Sequence, residues 1–312
     1  MSPIVVSEFV LWLAQAKQAT IAHSISLAEL DWLLLGVTDL DRLSLKFETY
    51  KTRSYIQCEW PIATLQAKWH QRIYNNVPVQ YLVGRTPWRQ FDLNVSNAVL
   101  IPRPETECII DLVAEIIAKS PELATGNWVD LGTGSGAIAI ALADLMPDAI
   151  IHAVDTSLDA LAIAKLNSEQ LGNNNRIQFY HGNWFEPIVH LKGKLSGMVS
   201  NPPYIPSKEV LVLQPEVTDH EPHLALDGGE DGLDCLRHLV TNATEYLVPS
   251  GLWIVEMMIG QMDTIVELLE NKGYKSIVRS RDLEGVERFA IGQCGERGGV
   301  VPKDETLEHP TR

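Results

Sequence analysis

Two short segments carry residue types whose spacing suits chemistry. The first, Ser200-Asn201-Pro202-Pro203-Tyr204, closes an apolar run. Its two prolines lack the N–H groups needed to continue a central strand, and they fix φ, so the carbonyls of Asn201 and Pro202 are held in set directions. A rigid pair of acceptors is what an NH2 group on a planar system needs. An amide nitrogen is a poor nucleophile because its lone pair is delocalised into the carbonyl. Hydrogen bonds donated by its two N–H groups to the Asn201 side-chain oxygen and the Pro202 carbonyl would turn that lone pair toward an in-line electrophile, with Tyr204 stacked on the flat amide. Catalysis by such a device is mainly positioning, with stabilisation of positive charge growing on nitrogen. A plain strand-ending turn is the bland alternative for Pro-Pro.

The second segment is Val129-Asp130-Leu131-Gly132-Thr133-Gly134-Ser135-Gly136, followed by the helix-prone Ala137–Ala141. Glycines let the chain turn sharply and let a ligand approach the backbone. The helix start points its free N–H groups at that ligand. A further strand ends at Asp155, whose carboxylate is placed to accept both hydroxyls of a ribose. The spacing is G-x-G-x-G, not the G-x-G-x-x-G of dinucleotide binders, and Asp130 precedes it. An extra carboxylate repels a pyrophosphate but suits a ligand with an amino group and a positive sulfonium, such as S-adenosylmethionine. A G-x-S-x-G nucleophile elbow centred on Ser135 fails, because Thr133 and Ala137 stand where glycines are needed. No Walker lysine follows the loop. Gly132, Thr133, Gly134, Ser135, Gly136 and Asp155 are therefore the cofactor candidates, and Asn201–Tyr204 the candidates for substrate and catalysis.

These segments need a scaffold. From Trp128 onward apolar strands alternate with helices: Trp128–Leu131, Ile150–Val154, Ile177–Tyr180, Gly197–Ser200, Leu252–Glu256 and Ser276–Arg279, with helices such as Leu158–Leu171 and Leu233–Leu247 between them. That alternation predicts an α/β fold, a doubly wound and mostly parallel sheet with ligands beyond the carboxyl ends of its strands. From Glu8 to about Ile73 apolar residues recur at helical spacing (Phe9, Leu11, Leu13, Ala16, then Leu30, Leu33, Leu34). Ser26 with Glu29 reads as a capping box. Alternation over Trp88–Val95, with turns at Asn97 and Pro102, predicts a β-hairpin. The expected division is a small N-terminal helical domain over 1–76, serving partner recognition or as a structural cap, a hairpin linker over 77–104, a catalytic domain over 105–294 and a frayed polar tail over 295–312.

The 312 residues suit two domains, and 46% hydrophobic with 21% charged residues suits a soluble protein. No leader pattern and no bilayer-length apolar run is present, and the four cysteines (Cys58, Cys108, Cys235, Cys294) form no CxxC pair. A cytoplasmic, reducing location without metal or disulfides is expected. His152 and His181 read as ordinary strand-end residues. Asp227–Gly232 lacks the ligand order of a calcium loop and reads as a flexible loop near the substrate entrance. The net charge of −15 disfavours a phosphate-binding groove, so protein is the favoured substrate and nucleic acid is unlikely as a direct one.

Taken together, these residues resemble the release-factor glutamine methyltransferase family, over about Pro78 to Gly292. Pro78–Gly84 resembles its linker, and Ile101-Pro102-Arg103-Pro104-Glu105-Thr106-Glu107 its signature ahead of the catalytic domain. Gly132–Gly136, Asp155, Gly182-Asn183-Trp184-Phe185, Asn201–Tyr204 and Arg281–Arg288 follow in the family's order. Asn-Pro-Pro-Tyr alone is shared with adenine and guanine amino-methyltransferases; joined to Ile101–Glu107 it is specific. The resemblance implies a Rossmann-like methyltransferase sheet and N5-methylation of the glutamine in the Gly-Gly-Gln motif of peptide-chain release factors, with S-adenosyl-L-methionine as cofactor. It implies that Trp184 flanks the adenine, that Asn201 also borders the cofactor, and that Asn201, Pro202, Pro203 and Tyr204 hold the glutamine. It also implies that Arg103, Glu105 and Glu107 shape the substrate entrance, for which a helix-starting salt-bridge cluster is an equally good reading. Two departures stand out: Asn183 replaces the aspartate of many relatives, and Met258 replaces the glycine of Glu-x-Gly-x-x-Gln at Glu256–Gln261. The competing functions are methylation of a ribosomal-protein glutamine, methylation of a nucleic-acid base amino group, and a non-enzymatic cofactor-binding module.

Overall fold

The run Trp128–Leu131 places apolar residues on both faces of a strand, Trp128 on one and Val129 and Leu131 on the other, and such a strand is stable only when covered on both sides. The computed structural model describes residues 1–173 and 175–295, and in it this run lies in the interior of a seven-stranded sheet. The expected polar tail lies, from residue 296 on, outside the described residues.

The first elements are β1 (Ser2–Val5), α1 (Val6–Ala22), α2 (Leu27–Val37), α3 (Arg42–Lys46), β2 (Tyr55–Cys58), α4 (Ile62–Asn75) and α5 (Val79–Val83). They enclose a core of their own, built on Phe9, Leu30, Leu33, Leu34 and Leu65 and drawn wholly from residues 4–82. Three expectations are corrected here. The helical pattern is interrupted by β2, which pairs antiparallel with β1, and Leu11 faces solvent. Ser26 does cap α2, its Oγ accepting the Ala28 N–H at 3.2 Å. Glu29, however, closes no capping box, because its carboxylate accepts from the Arg72 guanidinium at 2.5 and 3.0 Å.

The hairpin follows as β3 (Arg85–Trp88) and β4 (Phe91–Asn94), with its turn at Arg89-Gln90. Then come α6 (Cys108–Lys119), β5 (Gly126–Leu131), α7 (Ala137–Leu145), β6 (Ala149–Asp155), α8 (Leu158–Gln170), β7 (Ile177–His181) and β8 (Leu195–Ser200). The chain ends with α9 (Ser207–Val210), α10 (Pro215–Thr218), α11 (Asp234–Ala243), β9 (Leu247–Glu256), α12 (Met262–Asn271), β10 (Lys275–Arg281) and β11 (Glu287–Gln293). Every strand expected from Trp128 onward lies inside one of β5–β10. The helix expected over Leu233–Leu247 stops at Ala243, because Leu247 already opens β9.

Strand order is β10-β11-β9-β8-β5-β6-β7. All neighbours from β7 to β9 are parallel, while β11 runs antiparallel to both of its partners. The fold is thus the mostly parallel, doubly wound sheet that the sequence predicts. After β5 the chain steps outward to β6 and β7, then returns to the other flank of β5 as β8. This reversal is the topological switch point where open α/β sheets bind ligands. It makes neighbours of the two chemical segments, one leaving β5 and the other leaving β8. Leu131 and Ser200 are register partners, and the Ser200 hydroxyl donates to the Leu131 carbonyl at 2.7 Å. The tight pairing depends on Gly197, where an added Cβ would sit 2.3 Å from the Trp128 ring. No helix is long and apolar enough to cross a membrane among the described residues.

Candidate active site

The glycine loop is a turn held from both ends. Gly132 and Thr133 donate their N–H groups to the Val154 carbonyl at 2.9 and 3.0 Å, and Gly134 N–H donates to Asp155 Oδ2 at 2.9 Å. All three glycines have positive φ: 78° at Gly132, 53° at Gly134 and 84° at Gly136, a region that side-chain-bearing residues avoid. Gly136 is needed for space as well, since an added Cβ would lie 3.2 Å from the Ala164 backbone.

A cavity of ≈ 340 Å³ opens over this turn. Gly132, Gly134, Asp155, Trp184, Asn201 and Pro203 all border it, so the switch point brings together six of the residues singled out in the sequence. Thr133, Ser135 and Gly136 do not border it. Thr133 is buried and its hydroxyl donates to Asp130 Oδ2 at 2.6 Å; the Ser135 carbonyl accepts from Asn167. Asp130 itself turns inward and also accepts the Ala139 N–H, so this carboxylate ties the loop to α7 instead of facing the cavity. Burial raises it to about 7.

The cavity suits an adenosyl ligand. A Cβ added at Gly134 would meet no protein atom within 4 Å, so the backbone there borders open space. The Trp184 ring lies above Gly132, 3.4 Å from where a Cβ would stand, and is held there by a backbone with φ 49°. This offers a flat apolar wall for a base. Asp155 accepts Ser157 N–H and Gly134 N–H with one oxygen each, which leaves further lone pairs for a diol. Burial raises its pKa, opposed by those N–H donors. Asn183 is on the same wall. Among the described residues no cluster of His, Cys, Asp or Glu suits a metal ion.

Across the cavity Asn201 donates from Nδ2 to Thr106 Oγ1 at 3.1 Å, so its Oδ1 is the acceptor left for a ligand. Thr106, which sequence reasoning passed over inside Ile101–Glu107, is therefore part of the site. Pro202 is buried and its carbonyl accepts no hydrogen bond from the described backbone. Tyr204 is absent from the cavity wall: its hydroxyl turns back to donate to Glu256 Oε1 at 3.1 Å, and burial pushes the phenol far above its usual pKa. The hydroxyl thus anchors the ring from the side of β9. Gln261 braces the segment from behind, donating to the Tyr204 carbonyl at 2.9 Å and to the Gly232 carbonyl at 3.2 Å. Met258, the other departure, takes no positive φ; Gly260 makes the turn at φ 90° instead, so the missing glycine strains nothing.

The Arg103, Glu105 and Glu107 cluster divides. Arg103 donates to both oxygens of the buried Glu221 at 2.7 and 2.9 Å, next to Pro222 on the cavity rim. Glu107 accepts the Arg89 N–H at 3.0 Å and braces the hairpin turn, not the entrance. Glu105 lies near Tyr204 and Glu256 and raises both pKa values. The rim from α9 to Ala225 is also gripped from the N-terminal elements, by Arg72 donating to Glu216 at 2.7 Å and by His220 against the Asn75 carbonyl at 2.6 Å. Asp227–Gly232 is likewise tied down, not a free loop: Gly228 N–H donates to the Ile205 carbonyl at 2.9 Å, and Ser207 Oγ to Asp227 at 2.7 Å.

Residues 109–228 match the methyltransferase small domain family. A release factor glutamine methyltransferase of Synechocystis sp. is 52% identical over 285 residues, covering 90% of this chain and 95% of its own. The namesakes of Thermosynechococcus vestitus and Gloeobacter violaceus are 44% and 41% identical, over 86% and 92% of this chain and 91% and 97% of theirs. The chain belongs to the release factor glutamine methyltransferase family. It is an S-adenosylmethionine-dependent methyltransferase. The hMettl16 catalytic domain, solved in complex with a MAT2A 3'UTR hairpin, shares the fold at 12% identity and a TM-score of 0.54, over 85% of this chain and 90% of that one.

One expectation for this family member follows from the cavity floor. Gly134→Ala is expected to cost about 1–2 kcal/mol of stability through its left-handed backbone, and to weaken S-adenosylmethionine binding about tenfold or more, roughly 1.4 kcal/mol. Thermal unfolding and calorimetric titration on one preparation separate the two effects.

Proposed function

We propose that this enzyme transfers a methyl group to the side-chain amide nitrogen of the glutamine in the Gly-Gly-Gln motif of peptide-chain release factors, in the cytoplasm. The observation that carries this reading is the orientation of Asn201, with its amide nitrogen committed to Thr106 and its oxygen left to accept an N–H. Family membership names the substrate class. The cofactor, when bound, supplies an electrophilic methyl on a positive sulfur.

This chain's residues do the rest. Gly132, Gly134, Asp155 and Trp184 seat the adenosyl part, and the buried Thr133, Ser135 and Gly136 hold that loop in shape. Asn201 Oδ1 and the Pro202 carbonyl accept the two N–H groups of the glutamine amide, Pro203 closes the wall beside them, and Tyr204 fixes the segment. Orientation of the lone pair carries the rate, with stabilisation of charge growing on nitrogen. The nitrogen loses a proton only as the methyl arrives, so no strong base is needed beforehand. Arg103, through Glu221, shapes the rim over which a protein loop enters, and the N-terminal elements, gripping the same rim through Arg72, recognise the partner.

Methyl transfer from labelled S-adenosylmethionine to a purified release factor tests the reading, beside its Gly-Gly-Gln→Gly-Gly-Ala variant, ribosomal protein and bare rRNA. Label on the wild-type factor alone is expected. Label on ribosomal protein or on nucleic acid with none on the factor would overturn it, and cofactor binding with no transfer would favour a binding module.

A further inference from the structure

Glu256, the last residue of β9, is fully buried beneath the Asn201–Tyr204 segment. Its Oε1 accepts the Tyr204 hydroxyl at 3.1 Å. Its Oε2 has no hydrogen-bond partner among the described residues, and the neighbouring Thr106 hydroxyl lowers the pKa of the same carboxyl. Arg288 is nearby, but its Nε is given to Asp282 at 2.5 Å. A buried carboxyl so incompletely paired is a poor stabiliser, and its presence calls for another reason.

The reason lies in hydrogen-bond direction. Thr106 has a single hydroxyl proton. It accepts from Asn201 Nδ2, so its own proton is free to point at Glu256. We propose that Glu256 is the positioning residue that fixes which way the Asn201 amide faces, by ending the line Asn201–Thr106–Glu256 in a group that only accepts. This rests on the reading of Asn201 as the acceptor for a glutamine amide. With a carboxylate at the end, every proton in the line points inward, and Asn201 presents oxygen to the cavity. With a donor at the end, the Thr106 proton turns toward Asn201, the amide rotates, and an NH2 group meets the substrate NH2.

Titration of the same group makes the orientation depend on pH. Burial lifts Glu256 to about 7, against the contacts of Thr106 and Tyr204; of the charged neighbours, Glu105 raises it and Arg288 lowers it. The carboxylate is present above that value and lost below it, so kcat is expected to fall as pH drops through neutrality.

Glu256→Gln tests this without changing side-chain volume. Its amide donates toward Thr106 and so imitates the protonated carboxyl at every pH. We expect kcat for methyl transfer to glutamine to fall about 10- to 100-fold, the acid limb of the pH profile to vanish, and cofactor affinity and thermal stability to hold. Thr106→Val, which cuts the line midway, is expected to give a similar loss, and Glu256→Gln to add little to it. A Glu256→Gln enzyme with wild-type kcat and an unchanged acid limb would overturn the inference. So would a loss of activity matched by loss of cofactor affinity or of melting temperature, since that marks a merely structural role. Wild-type enzyme that binds cofactor but transfers nothing to glutamine sinks the glutamine reading itself, and the wild-type arm alone reveals it.

Discussion

Asn201→Ala is expected to lower kcat for glutamine methylation about 10²- to 10³-fold, roughly 2.7–4 kcal/mol in the barrier, as when one preorganised polar partner is removed from a catalytic site. The amide of the substrate then keeps a single fixed acceptor, the Pro202 carbonyl, and can spin about that bond. Its lone pair stays in conjugation for more of its time and meets the methyl off-line. Cofactor affinity should change little, because on the proposed reading Gly132, Gly134, Asp155 and Trp184, which border the same cavity, seat the adenosyl part. Single-turnover kinetics with saturating cofactor, paired with a binding titration, read the two quantities separately. A fall in affinity as large as the fall in rate would place Asn201 in cofactor binding alone.

Gly232→Ala carries the largest expected loss of stability. Gly232 has φ +75°, and an added Cβ would lie 2.3 Å from the Tyr204 carbonyl oxygen and 2.8 Å from Gln261 Nε2. Left-handed backbone costs a side-chain-bearing residue about 1–2 kcal/mol, and overpacking of fixed backbone about 1–3 kcal/mol more. The sum is about 2–5 kcal/mol. Gly260→Ala separates the two terms, since Gly260 has φ +90° but nothing within 4 Å of an added Cβ; it should lose only the first part. Urea unfolding of the two variants measures the difference. If the two destabilise equally, the close approach to Tyr204 is not what Gly232 is for. Methyl transfer should fall further in Gly232→Ala than its stability accounts for, because the displaced atom belongs to the segment that ends in Tyr204.

The parts legible in the sequence were those whose signal is local. Apolar runs such as Trp128–Leu131 and Ile150–Val154 announce buried strands, and the Gly132–Gly136 spacing announces a turn with positive φ. β11 escaped because Arg281–Arg288 enters only through the resemblance and stops at its second residue, although Phe289, Ala290 and Ile291 form a short buried run. β2 escaped because four residues inside a helical pattern carry too little periodicity. The deeper misses are contacts between distant positions. Asn201 meets Thr106 across 95 residues, and Tyr204 meets Glu256 across 52. No spacing rule reaches that far, so the anchoring of the Tyr204 hydroxyl was not legible in the sequence. Glu107 read as an entrance residue for the same reason: its partner Arg89 lies in a hairpin turn that only the fold brings near.

The ladder between β5 and β8 has a consequence for how such an enzyme is retargeted. Donor seat and acceptor seat begin one residue beyond Leu131 and Ser200, which are bound partners in the same ladder. On the proposed reading, the span between sulfur and nitrogen is inherited from the sheet and is the same whatever substrate arrives. On that reading selectivity is left to the rim from Ile205 to Ala225, which is pinned by side chains such as Arg72 and Arg103. Exchanging that rim together with its pins is the route by which this scaffold would accept a different planar nitrogen while its reach stays constant.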